Sequence, residues 1–298
     1  MKPVAMFDLY AGGGGAAEGA LMAGAIVPLA WECWHEKDKT TKRYEPTVHQ
    51  PALDVHAANH PQTKVRKVAI GADPQWEVRT LKRWFEIYRA RGYHIHLHGS
   101  PPCQAISGAS TANAEDGMGA IHHYLWLVEQ TNPDSWSMEN VVNLRSRLPE
   151  DTPSVILNAA DFGVPQTRRR CFAGTGWVAT PTHTEEEWVG VLEALPHLTS
   201  EFELACPYPS MTINSSAYNH ASIEKPYPTV TSQSPKQLRL KPATGKLRAL
   251  TLAETATLQG FPSTYDWEPA KFQKYRWTII GNAVPPAMMA AVIRGIQQ

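Results

Sequence analysis

Through its first half the chain alternates short apolar runs with apolar residues at helical spacing, the pattern of an α/β domain. Val4–Leu9 and Ile26–Glu32 read as strands, with a helix over residues 16–23 between them. Residues 76–91 make the clearest amphipathic helix, because Val78, Leu81, Phe85 and Tyr88 fall on one face. Strands are predicted at 95–98 and 136–139, with a helix at 121–129 separating them. From 176 to 245 the periodicity fades into polar sequence punctuated by Pro181, Pro196, Pro207, Pro226 and Pro235. That shift predicts a second, small and loop-rich lobe. Helical spacing returns at Leu252–Leu258 and at 286–296. The expected division is 1–172 with 245–298 as the main domain, and 173–244 as the lobe.

Composition changes this picture little. An apolar share of 43% and a charged share of 19% suit an ordinary soluble globular protein. The first apolar run is too short for a signal peptide, and no stretch reaches the ~18 apolar residues of a membrane span. A cytoplasmic, bacterial or phage-encoded protein with no membrane contact is therefore expected, and a monomer is the expected form. The cysteines Cys33, Cys103, Cys171 and Cys206 are widely spaced, as reduced thiols are, which leaves one free to act as a nucleophile.

Charge is more informative by position than in sum. The formal net charge is zero, yet Lys225, Lys236, Arg239, Lys241, Lys246 and Arg248 follow one another with no acid between them. Such a stripe is a candidate phosphate-tracking surface, and equally an ordinary solvated face.

Candidate chemistry gathers where predicted strands end. The first strand runs into Asp8-Leu9-Tyr10-Ala11-Gly12-Gly13-Gly14-Gly15 and then a helix. Glycines at such a turn let a ligand approach the backbone, and the helix start offers free N–H groups. Glu32 closes the next strand, placed to meet a ribose. Any nucleoside-bearing cofactor fits this pattern, NAD included, although Ala17 stands where a dinucleotide fingerprint has its third glycine. The 95–98 strand leads into Gly99-Ser100-Pro101-Pro102-Cys103-Gln104, where two prolines stiffen the approach to a thiol. Ser107-Gly108-Ala109-Ser110 beyond it reads as a loop able to close as a lid. A lone cysteine is as readily an inert buried residue as a nucleophile. Trp136-Ser137-Met138-Glu139-Asn140-Val141 puts a carboxylate on the same rim, suited to a ring nitrogen. Gln166-Thr167-Arg168-Arg169-Arg170 concentrates guanidinium groups, which suit an oxygen-rich partner or a solvated basic loop.

Together with Leu258-Gln259-Gly260-Phe261-Pro262 and Gly281-Asn282-Ala283-Val284-Pro285-Pro286, these blocks resemble the DNA (cytosine-5) methyltransferase family. The resemblance spans the chain in family order and leaves only the proline-rich middle unaligned. It implies a Rossmann-like methyltransferase domain with a target-recognition domain, acting on double-stranded DNA. The implied methyl donor is S-adenosylmethionine, released as S-adenosylhomocysteine. Cys103 would add to C6 of a flipped-out cytosine. Glu139 would hold N3 and the exocyclic amine, Arg170 the O2 side, and Arg168 would support the site. Asn140 would brace the cysteine loop. The donor would lie among Tyr10, Ala11, Gly12, Gly14, Glu32, Asp73, Pro102, Asn282 and Ala283. A cognate restriction endonuclease is the further partner that the resemblance implies.

The chain departs from the family in several places. Residues 36–51 look inserted, the stretch from 141 to 159 is short, and Thr257 replaces the usual arginine. The acid of the third block is met only loosely by Asp73. The family does not explain His94-Ile95-His96-Leu97-His98, whose imidazoles share one strand face. They suit a polar cluster against a neighbouring helix better than a zinc site, and no metal is expected. Three other readings compete. A tRNA cytosine-5 methyltransferase would carry a Cys-Phe-Thr segment that is absent here. A silent DNA-binding homologue would lose Cys103, Glu139 or Arg170. An NAD oxidoreductase leaves the later blocks unexplained.

Overall fold

A computed structural model describes residues 2–37, 44–47, 49–102, 118–199, 202–205, 220–232, 239–241, 246 and 248–296. The strands are β1 (Val4–Leu9), β2 (Ile26–Glu32), β3 (His35–Lys37), β4 (Tyr44–Pro46), β5 (Lys64–Lys67), β6 (His94–Gly99), β7 (Ser135–Asn140), β8 (Ser154–Asn158), β9 (Gln166–Thr167), β10 (Arg169–Thr175), β11 (Glu203–Ala205), β12 (His220–Ser222), β13 (Tyr227–Pro228), β14 (Arg239–Lys241) and β15 (Arg248–Ala249). The first four helices are α1 (Gly15–Met22), α2 (Pro51–Asn59), α3 (Pro74–Ala90) and α4 (Gly119–Thr131).

Seven strands form the central sheet in the order β5-β2-β1-β6-β7-β10-β8. The pairings from β5 to β7 are parallel, whereas β10 runs antiparallel to both β7 and β8. This is the α/β architecture that the alternating pattern predicts, in the Rossmann-like form that the family resemblance implies. Residues alternate across the sheet because Cβ directions alternate along a strand. Ala5, Phe7 and Leu9 pack with Leu81, Phe85, Ile121 and Leu127 of α3 and α4. Met6 packs instead with Ala16, Ala20, Met288 and Val292, between α1 and the C-terminal helix Pro286–Arg294. In β2 an extra residue falls between Ile26 and Leu29 relative to Ala5 and Phe7, a bulge at Pro28, which has no N–H to donate. The bulge lets Val27 face α1 while Leu29 and Trp31 face α3.

The second lobe is less separate than its composition suggests. Its strands form a four-stranded antiparallel sheet, β12-β11-β14-β15. Val191, Leu204, Leu240 and Leu250 share one apolar cluster with Ala52, Val55, Leu258 and Ile279 of the main domain. β10 stays in the central sheet through Thr175, and β15 closes the small sheet at Arg248–Ala249. Among the described residues no helix is long and apolar enough to cross a membrane.

Candidate active site

Three loops leave the C-terminal ends of adjacent parallel strands, where open α/β sheets bind ligands. β1 ends at Leu9, which pairs with Gly99 at the end of β6, and Gly99 pairs with Met138 of β7. The glycine turn, the stem of the cysteine loop and Glu139 therefore meet on one rim.

The glycine turn depends on left-handed backbone. Tyr10 has φ 57°, Gly12 has φ 53°, and Gly14 has φ 94° as the residue preceding α1. A side chain at Gly14 would meet Tyr265 Oη at 2.7 Å and His60 Nε2 at 2.8 Å, whereas open space surrounds Gly12. Tyr265 Oη donates to Gly13 O at 2.5 Å, pinning the turn from the C-terminal region. Glu32 reaches across from β2, and its carboxylate accepts from Gly12 N at 2.7 Å and Cys33 N at 2.8 Å. Burial raises the Glu32 pKa, against those two N–H groups, which lower it.

Several side chains around this turn carry unused polar atoms. Tyr10 Oη is buried without a hydrogen-bond partner among the described residues, as are both carboxyl oxygens of Asp8. Burial, with Glu32 nearby, holds the Asp8 carboxyl well above the usual carboxylate range. Asp8 has no role in the sequence reading; its signal was a lone acid inside an apolar strand. Ala11 is buried, and its N–H donates to Trp31 O. Ala283 and Val284 press against Gly15, while Asn282 ends the helix Gln273–Asn282 in an exposed position. Pro102 is exposed at the last described position of the cysteine-loop stem. Asp73 is exposed and caps α3 by accepting from Trp76 N at 3.0 Å.

Cys103 and the proposed lid at 107–110 lie outside the described residues, but the stem leading to them is tightly held. Ser100 N donates to Leu9 O at 3.2 Å, and Asn140 Nδ2 donates to Pro101 O at 2.9 Å. Of the other cysteines, Cys33 and Cys171 are free and buried. Burial pushes the Cys171 thiol up to about 11, so it stays protonated at pH 7.

Glu139 is buried at the end of β7, opposite Phe172 of β10. Arg170 places Nε 3.2 Å from Glu139 Oε1, an ion pair not aligned as a hydrogen bond. Burial raises the Glu139 pKa, and Arg170 and then Arg168 pull it back. Arg168 is turned elsewhere: its buried Nη1 donates to Val230 O at 2.7 Å and Gly281 O at 3.1 Å. Gln166 makes a parallel junction, donating to Leu258 O and Gln259 Oε1 and accepting from Val230 N. The motif thus sends Arg170 to the rim and uses Gln166 and Arg168 to join both lobes to the C-terminal blocks.

The histidines of β6 have an unexpected partner. They face not a helix but the serines of β7, in a continuous chain. His94 Nε2 and His96 Nδ1 each lie 2.8 Å from Ser135 Oγ. His96 Nε2 and His98 Nδ1 each lie 2.8 Å from Ser137 Oγ, and His98 Nε2 lies 3.2 Å from Ser100 Oγ. A neutral imidazole has one donor and one acceptor, so each serine passes a hydrogen bond along the run when all three rings share one tautomer. Burial lowers the pKa of all three, that of His98 to about 3. The ladder ends at the stem of the cysteine loop.

The basic stripe is partly neutralised. Arg248 donates two hydrogen bonds to the carboxylate of Glu254, and Lys241 lies 3.7 Å from Glu203. Lys225 and Lys246 are exposed, and Lys236 lies outside the described residues.

Comparison with known proteins converges on one family. The family model described as C-5 cytosine-specific DNA methylase matches residues 4–175 and 207–298. The Type II methyltransferase M1.HphI of Haemophilus parahaemolyticus is 28% identical over 66% of this chain and 67% of its own length. M.HindV of Haemophilus influenzae, also a Type II methyltransferase, is 24% identical over 93% and 91%. In fold, the chain resembles a putative DNA modification methyltransferase encoded within a prophage of E. coli. That likeness has a TM-score of 0.64 at 19% identity and covers 98% of both chains. S. pombe Dnmt2 methyltransferase superposes with a TM-score of 0.61 at 16% identity, covering 97% of each. With both ends of the main domain matched and the strand-end rim in place, the chain belongs to the C-5 cytosine-specific DNA methylase family and is a DNA cytosine-5 methyltransferase.

Proposed function

We propose that this enzyme methylates C5 of a cytosine flipped out of duplex DNA, through a transient bond between Cys103 Sγ and C6. Unactivated cytosine has too little electron density at C5 to accept a methyl group readily. Attack of the Cys103 thiolate on C6 pushes the pair of the C5–C6 double bond toward C5. Glu139, whose pKa burial raises, donates to N3 in its protonated form, and Arg170 holds the O2 side, so the negative charge of the adduct is spread and met. Arg168 supports this arrangement from behind by tying the recognition lobe to the Gly281-Asn282-Ala283 block. Once C5 carries the methyl group, its proton leaves and the returning pair expels Cys103. No side chain is assigned to remove that proton.

S-adenosylmethionine, when bound, supplies an electrophilic methyl group to C5. The residues fit it. Open space beside Gly12, the unpartnered Tyr10 hydroxyl and the Glu32 carboxylate outline a polar cradle for a nucleoside with an amino-acid tail. Tyr10 would lie along the adenine, Glu32 would accept from the ribose hydroxyls, and Ala11, Gly12 and Gly14 would border the methionine portion. Pro102, Asn282 and Ala283 would close the pocket, and Asp73 would lie at its adenine end. Residues 173–244 would form the target-recognition lobe, and a cognate restriction endonuclease would complete a restriction-modification pair.

The observation that carries this reading is the buried Arg170–Glu139 pair beside the Asn140–Pro101 hydrogen bond. An acid with a raised pKa sits next to the stem of a cysteine loop, and a guanidinium is aimed at the same point. The test is transfer of label from methyl-labelled S-adenosylmethionine to unmethylated duplex DNA, followed by nucleoside analysis. Label is expected in 5-methyldeoxycytidine. Label on an exocyclic nitrogen, or on tRNA alone, contradicts the reading.

A further inference from the structure

At the β5 edge of the central sheet, a groove of about 500 Å³ runs between strand β5 and helix α3. Arg79 and Arg83, one turn apart on α3, and Arg66 on β5 line it, with Trp76, Trp84 and Ile87 completing the wall. None of the three guanidinium groups has a carboxylate partner among the described residues. The acids of α3 are otherwise placed. Glu77 is buried, accepting from Gly71 N and pairing with His123. Glu86 is exposed and makes no ion pair with these arginines. Ile87 is 38% exposed and Trp84 and Trp76 are half-buried, so the groove offers apolar surface between fixed positive charges.

We propose that this groove binds the phosphodiester backbone of a nucleic-acid strand, as a second DNA contact distinct from the catalytic rim. Arginine–phosphate pairing is bidentate and strong where the guanidinium has no competing acid. Arg79 and Arg83 are about 6 Å apart along the helix axis, a spacing that spans nearby phosphates of one strand, which rise about 3.4 Å per nucleotide in a duplex. Arg66 faces them across the groove. Trp84 stacks on Tyr88 and Trp76 on Trp31, which holds the tryptophans rigid as platforms for a base or sugar. A small anion would need neither the length of the groove nor its aromatic wall. No residue of the recognition lobe lines the groove, and it also stands apart from Arg170 on β10. β5 and β10 stand at nearly opposite ends of the sheet, five strand spacings or about 24 Å apart. A contact there would hold the enzyme on DNA beyond its target, as non-specific phosphate binding does.

The experiment uses fluorescein-labelled oligo(dT), which contains no cytosine, so its outcome is independent of the methyl-transfer chemistry. Anisotropy titrations at several salt concentrations compare the wild-type chain with the triple variant Arg66→Ala, Arg79→Ala, Arg83→Ala. Loss of three phosphate contacts should reduce the slope of log affinity against log salt by about 2, and weaken binding at least about tenfold at low salt. Thermal unfolding and kcat on a short duplex carrying the target should be unchanged, because these side chains are exposed or at the sheet edge. Equal slope and affinity in the two proteins would overturn the proposal. So would arginine-dependent binding of polyglutamate with no arginine-dependent binding of oligo(dT), which would make the groove a seat for an acidic protein.

Discussion

Arg170 Nε stands 3.2 Å from Glu139 Oε1, and the two residues lie on neighbouring antiparallel strands of the central sheet. Burial raises the Glu139 pKa and the guanidinium limits the rise. A proton on Glu139 is what the proposed chemistry uses, so activity should fall as pH climbs through this raised pKa. Removing Arg170 takes away a lowering influence. The alkaline limb of the kcat profile should therefore move to higher pH in Arg170→Ala, while kcat itself drops about 10²–10³-fold through loss of charge stabilisation. Rate measurements across the pH range on both proteins check the direction. An alkaline limb that moves down contradicts the assignment of Glu139 as the acid.

Glu32 has two tasks that a pair of variants separates. Glu32→Ala leaves Gly12 N and Cys33 N without their acceptor and should cost about 1–3 kcal/mol in stability. Glu32→Gln keeps one amide oxygen for the backbone and should lose less. Both should raise KM for S-adenosylmethionine about tenfold or more with a smaller change in kcat, as steady-state kinetics and chemical denaturation will show.

The histidine–serine ladder makes the protein acid-sensitive. His98 is depressed to about 3, His56 to about 3 and His60 to about 4, all from an ordinary 6.5 and all chiefly by burial. A depressed histidine contributes stability that is present above 6.5 and lost as pH falls toward its folded value, because the unfolded chain binds the proton first. Unfolding free energy should therefore decline steadily from pH 6.5 to pH 4. Ser137→Ala strands His96 Nε2 and His98 Nδ1 and should cost about 2–4 kcal/mol, with Ser137→Thr recovering much of it. Nitrogen-15 spectra of the three rings should show one common tautomer, and a mixture would contradict a ladder that passes hydrogen bonds in one direction.

Arg168 should prove structural where Arg170 proves chemical. Its two carbonyl acceptors, Val230 O and Gly281 O, belong to different parts of the chain. Arg168→Lys cannot span both with one ammonium and should lower the thermal midpoint by several degrees, an effect of about 1–2 kcal/mol. Arg170→Lys should leave the midpoint nearly unchanged and reduce kcat. The reverse pattern would exchange the two roles.

The strands that carry the site were legible because each buries one or both faces and ends in a recognisable turn. Val4–Leu9 and Ile26–Glu32 appear where the apolar runs place them, and α3 follows its leucine and phenylalanine spacing. The bulge at Pro28 was not legible, since periodicity carries no register. Nor was the ladder's partner: three alternating histidines announce a common face, but only the sheet order brings Ser135 and Ser137 beside them. The lobe misleads for another reason. Its prolines and polar residues suppress periodicity, yet a few apolar residues such as Val191, Leu204 and Leu240 are enough to join it to the main core. Asp73 reads as a pocket acid and also, in the structure, as the cap that an aspartate before a helix so often is.

The most direct test of the account is covalent trapping. Duplex DNA with 5-fluorocytosine at the target, incubated with the enzyme and S-adenosylmethionine, should yield a denaturation-resistant adduct, because fluorine cannot leave C5 as a proton does. Mass spectrometry of the digested complex should place the adduct on the peptide containing Cys103, and Cys103→Ser should give none. An adduct on Cys33, Cys171 or Cys206, or methyl transfer that survives Cys103→Ser, would contradict the central claim.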